Sequence, residues 1–435
     1  MLTNDLPHPS PQAKVLSTPD QRLAFRTPRT LLLVVVLACA RAAPAETTTD
    51  WDLAAALEAG GMLGYRSVAR DMATAGASLD VEPSVAIDDW RLRVPAELSM
   101  RETWPTSLAE LRSELRLAVE WRRDSRLRIG LEGGARLVLR PGWPDPYQPQ
   151  ADGTLARSDR HSYVRPVAEA TIAGIPVRHH HARLVYGYAY SDYREDGDYD
   201  PLQYPDHLAP ADNERHSVRA VWHWLDGGWR VGGEVDASWT AYRSAYARDA
   251  GTGATHAGPG GASPNPLLEL WSVEPAVDAR VELLDGVLTL RLGYGHPFVI
   301  DAFQGYGSYQ GPHVSAGIEV RPLPGLEIVA EADLEWRFYG EGGYAAGGDH
   351  PPLDDGSSRT DHRYRPRIEL RYALTEGLSL TGAGEYLARR TNYPDYVPGV
   401  FPASRSYAID WDYDDWLVLA GLEYRVPGHA SDADE

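Results

Sequence analysis

Apolar and charged residues alternate with a period of two along most of the chain after residue 50. In the segment 90–101 the even positions are largely apolar, whereas the odd positions include Arg91, Arg93 and Glu97. The same pattern recurs in 125–140 and 326–339. Successive side chains of a β-strand point to opposite faces, so this period predicts strands with one apolar and one charged face. The chain is therefore predicted to be all-β.

Sixteen such segments follow one another, and the connections between them alternate in length. The segments are 53–66, 78–88, 90–102, 109–122, 126–140, 162–173, 178–192, 215–224, 229–242, 268–283, 287–298, 312–321, 326–339, 362–373, 378–390 and 415–426. Seven connections are tight, and most of them contain Gly or Asp, which supply the backbone angles of hairpin turns. These seven are Asp88–Asp89, Asp124–Ser125, Gly174–Pro176, Asp226–Gly228, Asp285–Gly286, Pro322–Gly325 and Thr375–Gly377. The other eight connections are mostly long.

An even number of antiparallel strands, joined alternately by short turns and long loops, is the plan of an outer-membrane type barrel. We therefore expect a single transmembrane, antiparallel, up-and-down β-barrel over residues 46–426, with about sixteen strands in a range of fourteen to eighteen. One segment competes with this interpretation, because Ser107 and Glu110 have the spacing of a helical capping box. The strict alternation that follows favours a strand over 109–122, since a helix there would break the parity of the connections.

The N-terminal region predicts export. Arginines flank the apolar run Leu31–Ala40, which is too short to span a bilayer as a helix, and Ala43–Ala45 offers the small residues of a cleavage site. Residues 1–45 are thus expected to be an N-terminal extension and a signal peptide cleaved near Ala45, and residues 427–435 a polar tail. The single cysteine, Cys39, lies within that signal, so the mature protein is predicted to contain no disulfide.

The charge balance excludes some classes of partner. The chain has 42 basic and 62 acidic residues and a formal net charge of −20. This acidity argues against nucleic acid as a partner, because both would be anionic. No stretch after residue 45 is apolar over the ~18 residues that a transmembrane helix needs, so a membrane location must depend on strands.

The aromatic residues distinguish a membrane barrel from a soluble β-sandwich, which would show the same alternation. They occupy the apolar positions of the alternating segments and cluster near the segment ends. Trp90, Trp121 and Trp229 lie next to short turns, whereas Trp271 and Trp416 lie toward long loops. Two aromatic belts at the level of the lipid headgroups would produce this distribution. Together with the signal peptide, it indicates the outer membrane of a Gram-negative bacterium.

In this architecture the chain resembles porins and the sixteen-stranded barrels that export polysaccharide. The resemblance covers nearly all of residues 46–426. It implies contact with outer-membrane lipid and lipopolysaccharide, and insertion by the outer-membrane assembly machinery. The C-terminus departs from the pattern, because such barrels commonly end on an aromatic residue, whereas here Tyr424 is followed by the polar tail.

The charged positions of each alternating segment must face water, because an arginine side chain at the bilayer midplane costs ~2–4 kcal/mol. The candidate lumen-lining residues at these positions are Arg91, Arg93, Arg126, Arg128, Arg363, Arg365, Arg367, Arg371, Glu327, Glu331, Asp333 and Glu335. The arginines of 363–371 form a ladder on one strand, and the acids of 327–335 form another on the preceding strand. Two interpretations stay open: a transverse field that orients solutes, or cross-strand ion pairs that stiffen the wall.

A charge-lined lumen predicts a porin-like channel for passive passage of small polar or charged solutes, with no cofactor, no metal and no catalytic residue. The alternative is an export or assembly barrel with periplasmic partners, for example in exopolysaccharide secretion. Inward aromatic residues that stack on sugars would favour export, and Tyr163, Tyr242 and Tyr339 are the candidates.

Two further functions, a hydrolase and a plugged barrel, are weaker expectations. A hydrolase active at the barrel rim would need a nucleophile and a base at suitable spacing on one face, and the sequence offers no such pair. The second of these weaker expectations is a plugged barrel with a structural function. The three histidines at 179–181 are expected to be surface residues beside a turn rather than metal ligands, since alternate residues of a strand share a face and only His179 and His181 could converge.

Overall fold

The fold was analysed in a computed structural model. It describes residues 48–65, 70–104, 108–124, 126–141, 143–149, 155–158, 162–194, 212–247, 256–257, 263–303, 307–339, 360–391 and 413–426. The expected signal peptide and the polar tail lie outside these residues.

The described residues form sixteen strands, numbered here in chain order. They are β1 (Thr48–Tyr65), β2 (Arg70–Ile87), β3 (Trp90–Arg93 and Ala96–Trp104), β4 (Leu108–Asp124), β5 (Leu127–Leu139), β6 (Tyr163–Val177), β7 (His180–Tyr193), β8 (Asn213–Asp226), β9 (Trp229–Tyr246), β10 (Leu267–Leu283), β11 (Leu288–Gly295 and Phe298–Asp301), β12 (Tyr309–Gln310 and His313–Leu323), β13 (Leu326–Tyr339), β14 (Thr360–Ala373), β15 (Leu378–Thr391) and β16 (Tyr413–Arg425). Two short hairpins lie in the loops after β5 and β9: Trp143–Pro149 with Leu155–Ser158, and His256–Ala257 with Ser263–Pro264.

The sheet closes on itself. Each strand pairs antiparallel with the next, and β16 pairs with β1 from Ala54 opposite Arg425 to Leu63 opposite Trp416. The predicted all-β, sixteen-stranded antiparallel barrel is confirmed. The competing helix at 107–123 is excluded for the described part of that segment, since β4 runs through it as a strand. No helix in the described ranges is long and apolar enough to cross a membrane.

Three strands are interrupted at prolines without losing register. Pro95, Pro297 and Pro312 fall in the breaks of β3, β11 and β12. Proline has no N–H to donate to the ladder, so the pairing lapses there and resumes in the same register. In β11 the backbone N–H of His296 donates to the carbonyl of Pro275 (3.0 Å) and holds the strand in place beside the break.

The tight turns lie where the sequence predicts them, with one correction. Gly227 and Gly228 have φ values of 55° and 84°, the left-handed backbone of a two-residue hairpin turn. The prediction that Gly174–Pro176 forms the turn between β6 and β7 is wrong. That segment stays in the sheet, because the N–H of Ile175 donates to the carbonyl of Arg126 on the neighbouring side (2.9 Å). The chain reverses at 178–179 instead, where His179 takes a φ of 66°.

The outer surface of the barrel is apolar with aromatic ends. Trp229 near the turns and Trp271 and Trp416 near the loops are 50–52% exposed, and between these levels Leu131 and Val277 are 62% and 58% exposed. A continuous apolar surface of this kind is unfavourable in water and matches the hydrocarbon layer of a bilayer. The alternate side chains of the strands, as far as they are described, line the interior.

Candidate functional site

The structure places the predicted lumen residues at inward-facing positions of the strands, with the exception of Arg126. Arg91 and Arg93 belong to β3, Arg128 belongs to β5, and Arg126 lies in the turn before β5. The acidic ladder of 327–335 is on β13 and the arginine ladder of 363–371 is on β14. In the register of these two strands Glu335, Asp333, Glu331 and Glu327 stand directly opposite Arg363, Arg365, Arg367 and Arg371.

The two ladders do not form a simple zipper of ion pairs. Among the described residues one rung, Arg363 with Glu335, is an ion pair across this seam (3.7 Å). Arg365 pairs instead with Glu385 on β15 (2.9 Å), and Arg367 pairs with Glu369 on its own strand. Arg371 pairs with Glu423 of β16 (3.4 Å), so three of the four arginines have ion-pair partners other than the acids of β13.

Three acidic side chains of β13 lie close to residues of the preceding strands, β11 and β12. Glu331 accepts from Arg291 of β11 (3.4 Å), and Glu327 accepts from Arg321 of β12 (3.1 Å). Asp333 lies 3.5 Å from the Nε2 atom of His313. The charges of both ladders are thus compensated locally, and the pairing runs through neighbouring strands around the wall.

A second network centres on Glu114 of β4. This carboxylate is 10% exposed and accepts from both Arg116 and Arg136, the latter at 2.6 Å. Arg116 also pairs with Glu132 of β5 (2.6 Å). The network joins β4 to β5 through side chains as well as through the backbone ladder.

Arg128 differs from most of its neighbours on the wall. It is exposed on the inner face and makes no hydrogen bond or ion pair with any described residue. It borders a recess of about 240 Å³ that Arg93, Arg183, Glu132 and Glu169 also line. A full positive charge is therefore available to solutes at this position.

The inner charges are unevenly distributed around the barrel. On β3–β8 the inward parity carries twelve arginines against six acids. The arginines are Arg91, Arg93, Arg101, Arg112, Arg116, Arg122, Arg128, Arg136, Arg165, Arg183, Arg215 and Arg219; the acids are Glu97, Glu110, Glu114, Glu120, Glu132 and Glu169. We call this run the basic wall.

On β9–β13 the balance is reversed, with five arginines against eleven acids. The arginines are Arg230, Arg280, Arg291, Arg321 and Arg337; the acids are Glu234, Asp236, Glu274, Asp278, Glu282, Asp301, Glu319, Glu327, Glu331, Asp333 and Glu335. We call this run the acidic wall. Because the sheet closes through β16 and β1, the two walls lie on different sides of the lumen.

Inward tyrosines gather near the loop ends of the strands. Tyr163 of β6 meets Tyr193 of β7, with ring centroids 5.1 Å apart, and Tyr339 of β13 meets Tyr309 of β12 at 5.4 Å. The sequence interpretation named Tyr163, Tyr242 and Tyr339 but missed Tyr193 and Tyr309. Extending the inward parity to the last residue of each strand would have included Tyr193, whereas Tyr309 lies beyond the break at Pro312.

No group of three or more histidine, cysteine or carboxylate side chains in the described part of the chain is placed to hold a metal ion. The three histidines of 179–181 diverge. His179 is in the turn, His180 stacks on Trp222 of the outer face (5.5 Å), and His181 has the inward parity.

Comparisons with known proteins identify no family. No protein-family model matches the chain, and no curated protein matches its sequence. Several solved outer-membrane structures are similar in fold. Outer-membrane expressed OmpT of Vibrio cholerae is 10% identical, with a TM-score of 0.45, and the match covers 88% of this chain and 99% of that one.

Two other structures have comparable values. An anion-selective porin from Comamonas acidovorans is 10% identical, with a TM-score of 0.44, over 87% of this chain and all of that one. A structure described as a bacterial polysaccharide outer membrane secretin is 10% identical, with a TM-score of 0.42, over 86% and 98%. At these values the likeness concerns the type of fold, so function has to be argued from the residues of this chain.

Proposed function

We propose that this protein is a passive, porin-like channel of the outer membrane that admits small polar or charged solutes. It reaches the membrane through a signal peptide cleaved near Ala45 and is inserted by the outer-membrane assembly machinery, in contact with lipid and lipopolysaccharide. It works without a cofactor and without a catalytic residue. The lumen residues act on solutes through their charge alone.

The observation that carries this proposal is the opposition of the basic and acidic walls. Opposite charges on different sides of a water-filled lumen produce a field across the path of a solute, which orients dipolar molecules and sets ion preference. A wall built only for stiffness would need ion pairs but no sorting of charge by side. Arg128, which has no partner among the described residues, adds to the field.

An export or assembly barrel is the second candidate. The cluster of inward tyrosines beside arginines on β6–β9 favours it, because aromatic faces pack against the apolar C–H faces of sugar rings. The two functions differ in what they require: a passive channel conducts ions alone, whereas an export barrel depends on periplasmic partners.

Single-channel recording in a planar bilayer tests the proposal. Purified, refolded protein is expected to give steady openings of porin size in 1 M KCl, because barrels of about sixteen strands enclose an aqueous channel. A barrel that inserts, shown by protection of its strands from protease, but stays silent would contradict the channel and favour the export function or a plugged barrel.

Neutralising the arginine ladder should change ion preference. One unit charge about 6 Å from the ion path in water contributes about 0.7 kcal/mol, or about threefold in a permeability ratio. Arg365 and Arg367 are 52% and 43% exposed, so R365Q/R367Q is expected to shift the K⁺/Cl⁻ permeability ratio at least about threefold toward K⁺. The measurement is the reversal potential in a salt gradient.

The matched control removes a pair rather than a charge. R365Q/E385Q deletes both members of the ion pair between β14 and β15 and keeps the net charge. Its reversal potential should equal that of the unmodified protein. If R365Q/R367Q also leaves the reversal potential unchanged, the ladder serves only to stiffen the wall.

A further inference from the structure

A cluster of five side chains lies on the inner face at the loop ends of β6–β9. Tyr163 stands opposite Tyr193, and Tyr242 lies one inward position from Arg215 in the register of β8 and β9. Arg165 is the next inward residue after Tyr163 on β6. We call these five residues the tyrosine–arginine cluster.

Three members of the cluster, Tyr163, Tyr193 and Arg165, are in contact with one another. The rings of Tyr163 and Tyr193 are tilted by 51°, and the guanidinium carbon of Arg165 is 4.9 Å from the centroid of the Tyr163 ring. The Nε atom of Arg165 donates to the hydroxyl of Ser191 at 2.8 Å, and Ser191 is 2% exposed. Arg165 is thereby held over the ring of Tyr163, and its side chain also hydrogen-bonds to Tyr193.

The positive charge of the cluster is not neutralised within the described residues. Arg165 has no carboxylate partner there, and Arg215 is exposed and makes no hydrogen bond or ion pair. Most arginines elsewhere on the inner wall are paired with acids. An arginine without a partner, at the edge of an aromatic surface, is suited to an anion.

In the other inward tyrosine pair, Tyr309 and Tyr339, the charge of the neighbouring arginine is neutralised by an acid. Arg337 lies over the ring of Tyr309 at 4.5 Å, but it also pairs with Glu335 at 2.7 Å. The hydroxyl of Tyr339 donates to Asp361, which is completely buried. Both tyrosine pairs have an arginine on an aromatic face, and only the cluster on β6–β9 keeps its cations free of carboxylates within the described residues.

We infer that the tyrosine–arginine cluster binds a carboxylate carried on a ring. This inference deepens the proposed channel by naming a class of solute, and it rests on that function. Tyrosine faces pack against a flat apolar ring face, and guanidinium groups take the carboxylate in two parallel hydrogen bonds. Aromatic carboxylic acids and uronic acid sugars both have this chemistry.

Binding is measured by calorimetry on the full chain folded in detergent micelles, so the result does not depend on conductance. Benzoate and glucuronate are the two probes, and benzyl alcohol and glucose are their uncharged counterparts. At least one of the two anions is expected to bind, and its uncharged counterpart is expected to bind at least about tenfold more weakly, because the charge-assisted hydrogen bonds are lost. Binding of benzoate alone identifies aromatic acids, and binding of glucuronate identifies acidic sugars.

Three variants assign the binding to this cluster. R165Q/R215Q should weaken binding of the anion at least about tenfold, and Y163L/Y242L should weaken it by a smaller factor. Y309L removes a tyrosine of the neutralised pair and should leave the affinity unchanged. Each variant must migrate as a heat-modifiable barrel.

The inference is overturned if neither anion binds to the folded barrel, or if R165Q/R215Q binds as tightly as the unmodified protein. Either result leaves the channel proposal standing if the openings in the planar bilayer are present. If the barrel is silent in the planar bilayer but still binds the anion through this cluster, the channel proposal is contradicted and the binding site is supported.

Discussion

Replacing Arg389 by methionine is expected to lower the free energy of unfolding of the barrel by about 3–5 kcal/mol. Arg389 of β15 pairs with Asp361 of β14, and the side chains are 7% and 0% exposed. Removal of the guanidinium takes the opposite charge away from a buried carboxylate, which keeps the hydrogen bond from the hydroxyl of Tyr339 at 3.3 Å. Removing one member of a buried ion pair is costly, because the desolvated charge that stays behind loses the attraction that offset its burial.

The measurement is urea unfolding of the barrel in lipid vesicles, followed by tryptophan fluorescence. The double variant R389M/D361N removes both charges and should recover most of the lost stability, since an uncharged amide is far less costly to bury. If R389M alone unfolds at the same urea concentration as the unmodified protein, this pair contributes nothing to the barrel.

Replacing Glu114 by glutamine is expected to destabilise the barrel by about 3 kcal/mol, the second largest effect. Glu114 is nearly buried and holds Arg116 and Arg136, so its loss weakens two charge-assisted hydrogen bonds at once. Arg136 has no other acid within the described residues, whereas Arg116 keeps Glu132. Stability is again measured by urea unfolding in vesicles.

The chain offers a matched control for this variant. Glu97 of β3 stands directly opposite Glu114, is exposed, and has no partner among the described residues. E97Q makes the same chemical change and should leave stability unchanged or raise it slightly, because it relieves like charges across the strand pair. Equal destabilisation by E97Q and E114Q would contradict the view that Glu114 organises this part of the wall.

The fold was predictable because the direction of a side chain in a strand is decided locally. The pleat of the backbone sends neighbours to opposite faces, so the alternation along 90–101 and 326–339 predicts which residues face the inside of the barrel. The sixteen strands followed from the same alternation and from the lengths of the connections. The misplaced turn at Gly174–Pro176 shows the limit, since a Gly and a Pro did not prevent the segment from pairing with the neighbouring strand.

The partners of the charges were decided only by the tertiary structure. The sequence placed the arginine ladder on the strand that follows the acidic ladder, and the register sets Arg365 opposite Asp333, yet Arg365 bonds to Glu385. A long side chain on the inner wall reaches several acids, and its partner depends on charges from strands that are distant in sequence. The same holds for Asp361 and Arg389, whose burial no local pattern indicates.

The sequence alone therefore determined the class of fold, the face that each residue occupies and the sign of its charge. It did not determine the basic and acidic walls or the tyrosine–arginine cluster. Those arise because closure of the sheet brings strands from different parts of the chain around one lumen, so that their relative position depends on the register of every pair in between. A local periodicity carries no information about that register.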